Sequence, residues 1–200
     1  MEKIKLNPKE IIVEPLNENN KHHITTFSST ACQELERFLK ENAWKEQVVG
    51  FSRTYLFFHK GTLAGYVTLL MNIQKIDYNR QNDSLIKLRD KTNQEYTSVP
   101  AIKIGRLCVS DDYNTQLRDS HFSGMGKIIF SAVLGMTIEL SQEVGCRLIT
   151  THAKKSTKAY QWYEKLGFLY SFNQEKTKEL LAKESVESIS MLYDLHRILK

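Results

Sequence analysis

The residues best suited to do chemistry are His121-Phe122-Ser123-Gly124-Met125-Gly126-Lys127, a glycine-rich stretch between a strand-like apolar run and a long apolar pattern of helical spacing. Two glycines one residue apart let the backbone turn tightly where a helix starts. Consecutive N–H groups and the positive end of the helix dipole then converge on one point, which suits a pyrophosphate. In such a loop Met125 offers its amide to the phosphate while its side chain tucks under the helix. The flanks add weight: Ile102-Lys103-Ile104-Gly105-Arg106-Leu107-Cys108-Val109 lies before the loop, and Ala159-Tyr160-Gln161-Trp162-Tyr163-Glu164-Lys165-Leu166-Gly167-Phe168 lies after the next strand.

On these residues the chain resembles the GNAT superfamily of acyl-CoA-dependent N-acetyltransferases. That family's cofactor motif runs Gln or Arg, two residues, Gly, one residue, Gly or Ala, and opens a helix; residues 121 to 126 match it with His121 in the Gln/Arg place. A second family element is met by Ala159, Trp162, Tyr163, Gly167 and Phe168. The resemblance covers roughly residues 28 to 195. It implies a mixed α+β GNAT fold whose central, mostly antiparallel sheet is splayed at the acetyl-CoA site and flanked by helices, with residues 1–200 forming one domain.

Acetyl transfer from a thioester to an amine needs a neutral nitrogen, donors to the developing oxyanion and a proton for the departing thiolate. By the resemblance, Leu107, Cys108 and Val109 would hold the pantetheine arm and thioester oxygen through backbone groups. Residues His121 to Lys127 and Ser156 would contact the rest of acetyl-CoA. Tyr163 matches the family's proton donor, and a phenol with an unperturbed pKa of about 10 stays protonated near neutrality. Tyr160, one turn earlier, is out of register with Gly167-Phe168. No carboxylate occupies Ile102 to Val109, so water is expected to take the amine's proton, and Asp111 and Asp112 fit a turn leaving the strand. A site with so weak a base handles an α-amine, near pKa 8, more easily than a lysine, near about 10.4.

A narrower resemblance is carried by Leu35-Glu36-Arg37-Phe38-Leu39, Ala43, Ser52-Arg53-Thr54-Tyr55-Leu56, Gly65-Tyr66-Val67-Thr68-Leu69 and Ala101 to Leu107. These look like the GNAT toxins of bacterial toxin–antitoxin pairs, over roughly residues 32 to 168. That likeness implies acetylation of the amino acid on charged tRNA and an antitoxin protein as partner. The sequence departs from the pattern in the segment 77–98 and in an extension past Phe168. A protein N-terminus, a lysine or a small metabolite remains open as acceptor, as does a CoA-binding regulatory protein without turnover. For a polyanionic acceptor, Lys154, Lys155 and Lys158 form the favoured basic cluster; Lys103 and Arg106 on the strand are the alternative.

Alternating strand and helix signals must position these residues. Ile11-Ile12-Val13 reads as a strand stopped by Pro15, and 16–26 as a polar connector. Ser28 or Ser29 is expected to cap a helix with Cys32, Leu35, Phe38 and Leu39 on its inner face. Runs 53–58 and 63–71 form a hairpin around His59-Lys60-Gly61-Thr62. The polar stretch 77–98 reads as an insertion or a mobile loop, with room for a short helix at 85–88, after which Pro100 introduces a strand at 101–109. Beyond the glycine loop, Ile128, Ile129, Val133, Leu134, Met136, Thr137 and Leu140 line a helix ending near Gly145. A strand at 146–151 follows, then a helix capped by Ser156 and ended by Gly167. Strands at 168–172 and 189–195 flank a charged helix at 174–184.

Composition narrows the class. Two hundred residues at 41% hydrophobic content can bury one substantial core. Residues 1–6 lack the apolar run of a signal peptide and no later run approaches a membrane span, so a cytoplasmic protein without membrane attachment is expected. Cys32, Cys108 and Cys146 suit neither a disulfide framework nor a zinc site and read as reduced core thiols. His22-His23 reads as surface rather than metal ligand, and no metal is expected. A net charge of +5 suits an anionic partner, and CoA is one, but a surplus of Lys and Arg also serves solubility alone. The sequence allows a homodimer without requiring one.

Overall fold

The computed structural model describes residues 3–75 and 96–197. The helix expected at 85–88, with most of the 77–98 segment, lies outside them. The chain falls into two compact units, residues 1–70 with 104–135 and residues 71–103 with 136–200. In chain order the elements are β1 (Ile4–Lys5), β2 (Ile11–Pro15), α1 (Gln33–Glu41), α2 (Ala43–Val48), β3 (Arg53–His59), β4 (Thr62–Lys75), β5 (Ser98–Val109), β6 (Phe122–Ser123), α3 (Met125–Glu143), β7 (Leu148–Lys154), α4 (Ala159–Lys165), β8 (Leu169–Tyr170), α5 (Gln174–Ala182) and β9 (Ser188–Asp194). This is a mixed α/β fold with a mostly antiparallel seven-stranded sheet flanked by helices. Among the described residues no helix is long and apolar enough to cross a membrane.

The first unit carries the strand order β2-β3-β4-β5. Lys60 and Gly61, with φ of 49° and 80°, make the two-residue turn between β3 and β4, the conformation that matches strand twist in a tight hairpin. Core packing follows the helical spacing read from α1: Phe38 and Leu39 are buried, and Cys32 and Leu35 pack against the same cluster with Leu16, Phe27, Leu56 and Tyr66. Tyr66, fully buried, satisfies its hydroxyl by donating to the Leu35 carbonyl at 2.7 Å. On α3, Met125, Ile129 and Val133 recur every fourth residue and are fully buried, which drives that helix face inward.

Capping differs from the expectation. Neither Ser28 nor Ser29 caps α1 through its side chain; a 3-10 turn, Thr30–Cys32, comes first. The donors there are met by carboxylates instead: Ser29 N–H donates to Glu36 at 2.8 Å and Thr30 N–H to Asp111 at 2.8 Å. An ionised oxygen at a helix start also complements the dipole, which is why acids can displace the serines. The connector before it holds a 3-10 helix, Lys21–Thr26, with Ile24 buried. The His22 and His23 rings meet there at a tilt, with centroids 4.0 Å apart, and His23 meets Phe58 edge-on at 5.0 Å.

The second unit carries β5-β7-β9-β8. Val99, Ala101, Leu148 and Leu192 form its buried cluster, with Leu169 packed on them. Pro100 sits inside β5 rather than ahead of it, and its carbonyl accepts from Arg147 N–H at 3.1 Å. The strand read at 146–151 runs from Leu148 to Lys154, leaving Cys146 outside. Ser156 does not cap α4. Lys158, with φ of 53°, occupies the N-cap place and no side chain caps it. The other end of α4 is as read: Gly167 has φ of 96°, its N–H reaches Glu164 O, and Phe168 N–H reaches Tyr163 O. That pair of bonds is a Schellman termination, completed by the Tyr163–Phe168 ring contact at 5.0 Å.

Candidate active site

Each unit holds part of what the sequence singled out. In the first, residues 121–126 lead into α3 as expected, with Gly124 at φ of 102° immediately before the helix. A side chain rarely tolerates that backbone conformation, so glycine is what lets the chain turn there. The first N–H groups of a helix have no acceptor within it, and nineteen residues of α3 stand behind them. Met125 has no exposed surface, so its side chain is buried as read. The loop is fastened from its other side: β1 pairs in parallel with β6, and Ile4 N–H and Leu6 N–H donate to the carbonyls of His121 and Ser123 at 2.9 and 3.0 Å. Lys3 holds the approach to the loop, donating to the Thr115 and Leu117 carbonyls.

The end of β5 lies in the same unit. Cys108 is buried, and burial pushes its thiol up to about 12 although its Sγ donates to Ser29 Oγ at 3.2 Å. It is a neutral core thiol and no nucleophile. Leu107 and Val109, its neighbours, are half-buried. Both acids beyond the strand are engaged in a 3-10 turn, Asp111–Tyr113. Asp111 accepts from Thr30 N–H, Thr30 Oγ1 and Ser28 Oγ. Asp112 lies 3.1 Å from His121 Nδ1, and its carbonyl accepts the His121 N–H. The turn reading of these carboxylates therefore fits their bonding, and His121 spends its side chain on Asp112.

In the second unit Tyr163 is only 6% exposed, and its ring meets Trp162 and Phe168 edge-on. Burial pushes its phenol up to about 12, partly opposed by a hydrogen bond with Thr151 of β7. Tyr160 is half-buried and Ser156 exposed. The basic cluster is divided by its bonding: Lys155 Nζ donates to the Leu180 and Lys183 carbonyls at 3.2 and 2.9 Å, closing the end of α5. Its ammonium thus has a structural task that sequence alone did not suggest.

Sequence reasoning missed one set of residues near the loop. Glu10, His59 and Tyr113 form a hydrogen-bonded chain beside Phe122. They come from three distant stretches, and His59 follows two buried phenylalanines with no periodicity to set it apart.

No protein-family model matches the chain, and no curated protein matches it. Solved structures do. A tyrosine-to-phenylalanine mutant of KacT superposes with a TM-score of 0.71 at 20% identity, over 95% of this chain and 98% of that one. AtaT complexed with acetyl-methionyl-tRNAfMet gives 0.70 at 16%, over 94% and 97%. A mutant AtaT toxin bound to acetyl-CoA and the C-terminus of the antitoxin AtaR gives 0.66 at 16%, over 94% and 96%. The fold is that of the GNAT toxins. The GNAT-toxin likeness read from core positions is thus matched by a likeness in fold over most of the chain.

Proposed function

We propose that this chain is an acetyl-CoA-dependent N-acetyltransferase, with residues 1–200 as one domain, and that its acceptor is the amino group of an aminoacyl-tRNA. The observation that carries the reading is the loop: a glycine at φ of 102° delivers the chain into a nineteen-residue helix buried along one face, leaving backbone donors for an anion. That arrangement fits the pyrophosphate of CoA, with Phe122 to Lys127 as its holders. Leu107, Cys108 and Val109 are assigned to the pantetheine arm, and Ser156 to a peripheral contact. Acetyl-CoA supplies an activated acyl group when bound.

Tyr163 is assigned the proton-donor role. With its phenol held near 12 it stays protonated across the working range. A thiol titrates near about 8.5, so complete proton transfer from such a phenol is uphill by roughly 3.5 units, or about 5 kcal/mol. Tyr163 therefore acts as a hydrogen-bond donor to the sulfur as negative charge builds there. The α-amine preference follows from the engaged state of Asp111 and Asp112, which leaves proton removal to water.

The tRNA acceptor is supported by likeness to AtaT, whose structure holds acetyl-methionyl-tRNAfMet, and by the surplus of positive charge. An antitoxin partner is proposed on the same ground, from the AtaR complex. Radiolabelled acetyl-CoA incubated with the protein and a pool of charged tRNAs tests both levels. Label on an aminoacyl-tRNA, with apparent acceptor affinity falling steeply as salt rises, is the expected result. Label only on free amines or peptides would refute the tRNA acceptor, and no transfer or CoA binding at all would refute the acetyltransferase.

A further inference from the structure

His59 closes β3 at 3% exposure and has both ring nitrogens engaged. Nε2 lies 3.4 Å from Glu10 Oε2, and Nδ1 lies 2.9 Å from the Tyr113 hydroxyl. An ionised carboxylate only accepts, so the proton belongs on Nε2; Nδ1 is then the acceptor and Tyr113 the donor. The chain of bonds runs one way, from Tyr113 through His59 to Glu10. Lys60 Nζ stands 3.7 Å from the same Glu10 oxygen.

These bonds fix two ring planes, and Phe122 rests on both. Tyr113 stacks on Phe122 with centroids 4.9 Å apart and planes 15° from parallel. His59 meets Phe122 edge-on at 4.9 Å. Phe122 stands two residues before Gly124, in the glycine loop itself. Tyr113 also follows Asp112, which holds His121 at the loop's start. The 3-10 turn at 111–113 thus grips the loop through two consecutive residues.

We propose that His59, acting through Tyr113 and Phe122, is a positioning residue for the cofactor loop, and that the Glu10–His59–Tyr113 chain sets the aim of the loop's N–H groups. This rests on reading the loop as the pyrophosphate site. Backbone donors bind an anion well only when held in place, and a support lost behind them loosens the site without touching ligand.

The test is calorimetric titration of CoA into wild type, His59→Leu, His59→Gln and Tyr113→Phe, with KM and kcat for acetyl-CoA measured alongside. His59→Leu is expected to weaken CoA binding and raise KM about tenfold, equivalent to about 1.4 kcal/mol, with a much smaller change in kcat. His59→Gln can accept from Tyr113 and donate to Glu10, and is expected to recover affinity to within about threefold of wild type. Tyr113→Phe keeps the stacked ring and loses one neutral hydrogen bond, so about threefold is expected. Folded His59→Leu with wild-type affinity overturns the proposal, as does a loss that glutamine fails to restore. If leucine prevents folding, unchanged affinity in Tyr113→Phe overturns it. Failure of the wild type to bind CoA sinks the cofactor reading itself, a different outcome from these.

Discussion

Gly65→Ala adds a single methyl group where the first unit has no room for one. A Cβ built on Gly65 would stand 2.8 Å from Ile129 Cδ1, 2.9 Å from the Cys108 carbonyl oxygen and 3.5 Å from Met125 Cγ. Carbon atoms pack at about 3.5–4.0 Å, so the first contact overlaps badly. Ile129 is fully buried and has little freedom to move aside, while the Cys108 oxygen is backbone and cannot rotate away. Overpacking of this kind costs about 1–3 kcal/mol. Replacing glycine also stiffens the unfolded chain, a gain of about 0.4–1 kcal/mol, too small to reverse the sign. A net loss of about 1–2 kcal/mol corresponds to a fall in Tm of about 2–8 °C for a chain of this size. The displaced atoms belong to β5 at Cys108 and to α3 at its first turns, so acetyl-CoA affinity is expected to fall with stability. Gly135→Ala is the control: it lies on α3, nothing stands within 4 Å of its Cβ, and alanine in a helix interior is favoured by roughly 0.8–1.0 kcal/mol. Thermal unfolding and CoA calorimetry on both variants decide the matter. If Gly65→Ala melts with or above Gly135→Ala, the close approach of β4, β5 and α3 is not as described.

Tyr163→Phe is expected to lower kcat about a hundredfold with acetyl-CoA affinity nearly unchanged, and Tyr160→Phe to do much less; equal small effects would make Tyr163 a packing residue. Since the phenol titrates near 12, the wild-type pH–rate profile should show no Tyr163-dependent basic limb below about pH 10. Gly124→Ala forces an L side chain into φ of 102°, at about 1–3 kcal/mol, and should abolish measurable CoA binding even though open space surrounds its Cβ; retained affinity in calorimetry would remove the loop from the cofactor site. Cys108 and Tyr163 both have pKa values raised by burial, to about 12. Between the unfolded values, near 9 and 10, and the folded ones, the unfolded chain holds fewer protons than the folded one. Their stabilisation is therefore complete below about pH 8.5 and is lost as pH rises from there toward 12, by up to about 1.4 kcal/mol per pH unit for each group. Urea unfolding across that range should show the decline, and Tyr163→Phe should flatten its upper part; a flat profile to pH 11 would refute the burial of both groups.

Local signals carried the elements and failed at their ends. The three- and four-residue spacing of Cys32, Leu35, Phe38 and Leu39 reflects one buried stripe, so α1 is legible from sequence. Gly167 is legible because a Schellman ending needs a residue of positive φ, and Phe168 beside it supplies the apolar partner. The start of the α1 segment is not. Thr30 and Asp111 are 81 positions apart, and nothing local announces that an acid after β5 will cap a turn before α1. Ser156 misled for a related reason: a serine at a suitable spacing fits a cap, yet the chain turns into α4 through Lys158 in a conformation that lysine seldom adopts.

The candidate site divides along the same line. Glycine spacing is a backbone property, so residues 121–126 announce a tight turn into a helix wherever they occur, and the structure has that turn. What braces the loop is long-range. Ile4 and Leu6 reach it from the first residues of the chain, and His59 from a hairpin sixty-odd positions upstream. A histidine after Phe57-Phe58 resembles a turn residue, because four consecutive buried positions, Leu56 to His59, break the alternation by which a half-exposed strand is read. Lys155 shows the converse error. A lysine beside Lys154 invites an electrostatic role, but its three N–H donors can also close a helix end, and they reach the Leu180 and Lys183 carbonyls. Sequence thus locates groups whose chemistry is in the backbone, and leaves to the fold the side chains whose meaning depends on a distant partner.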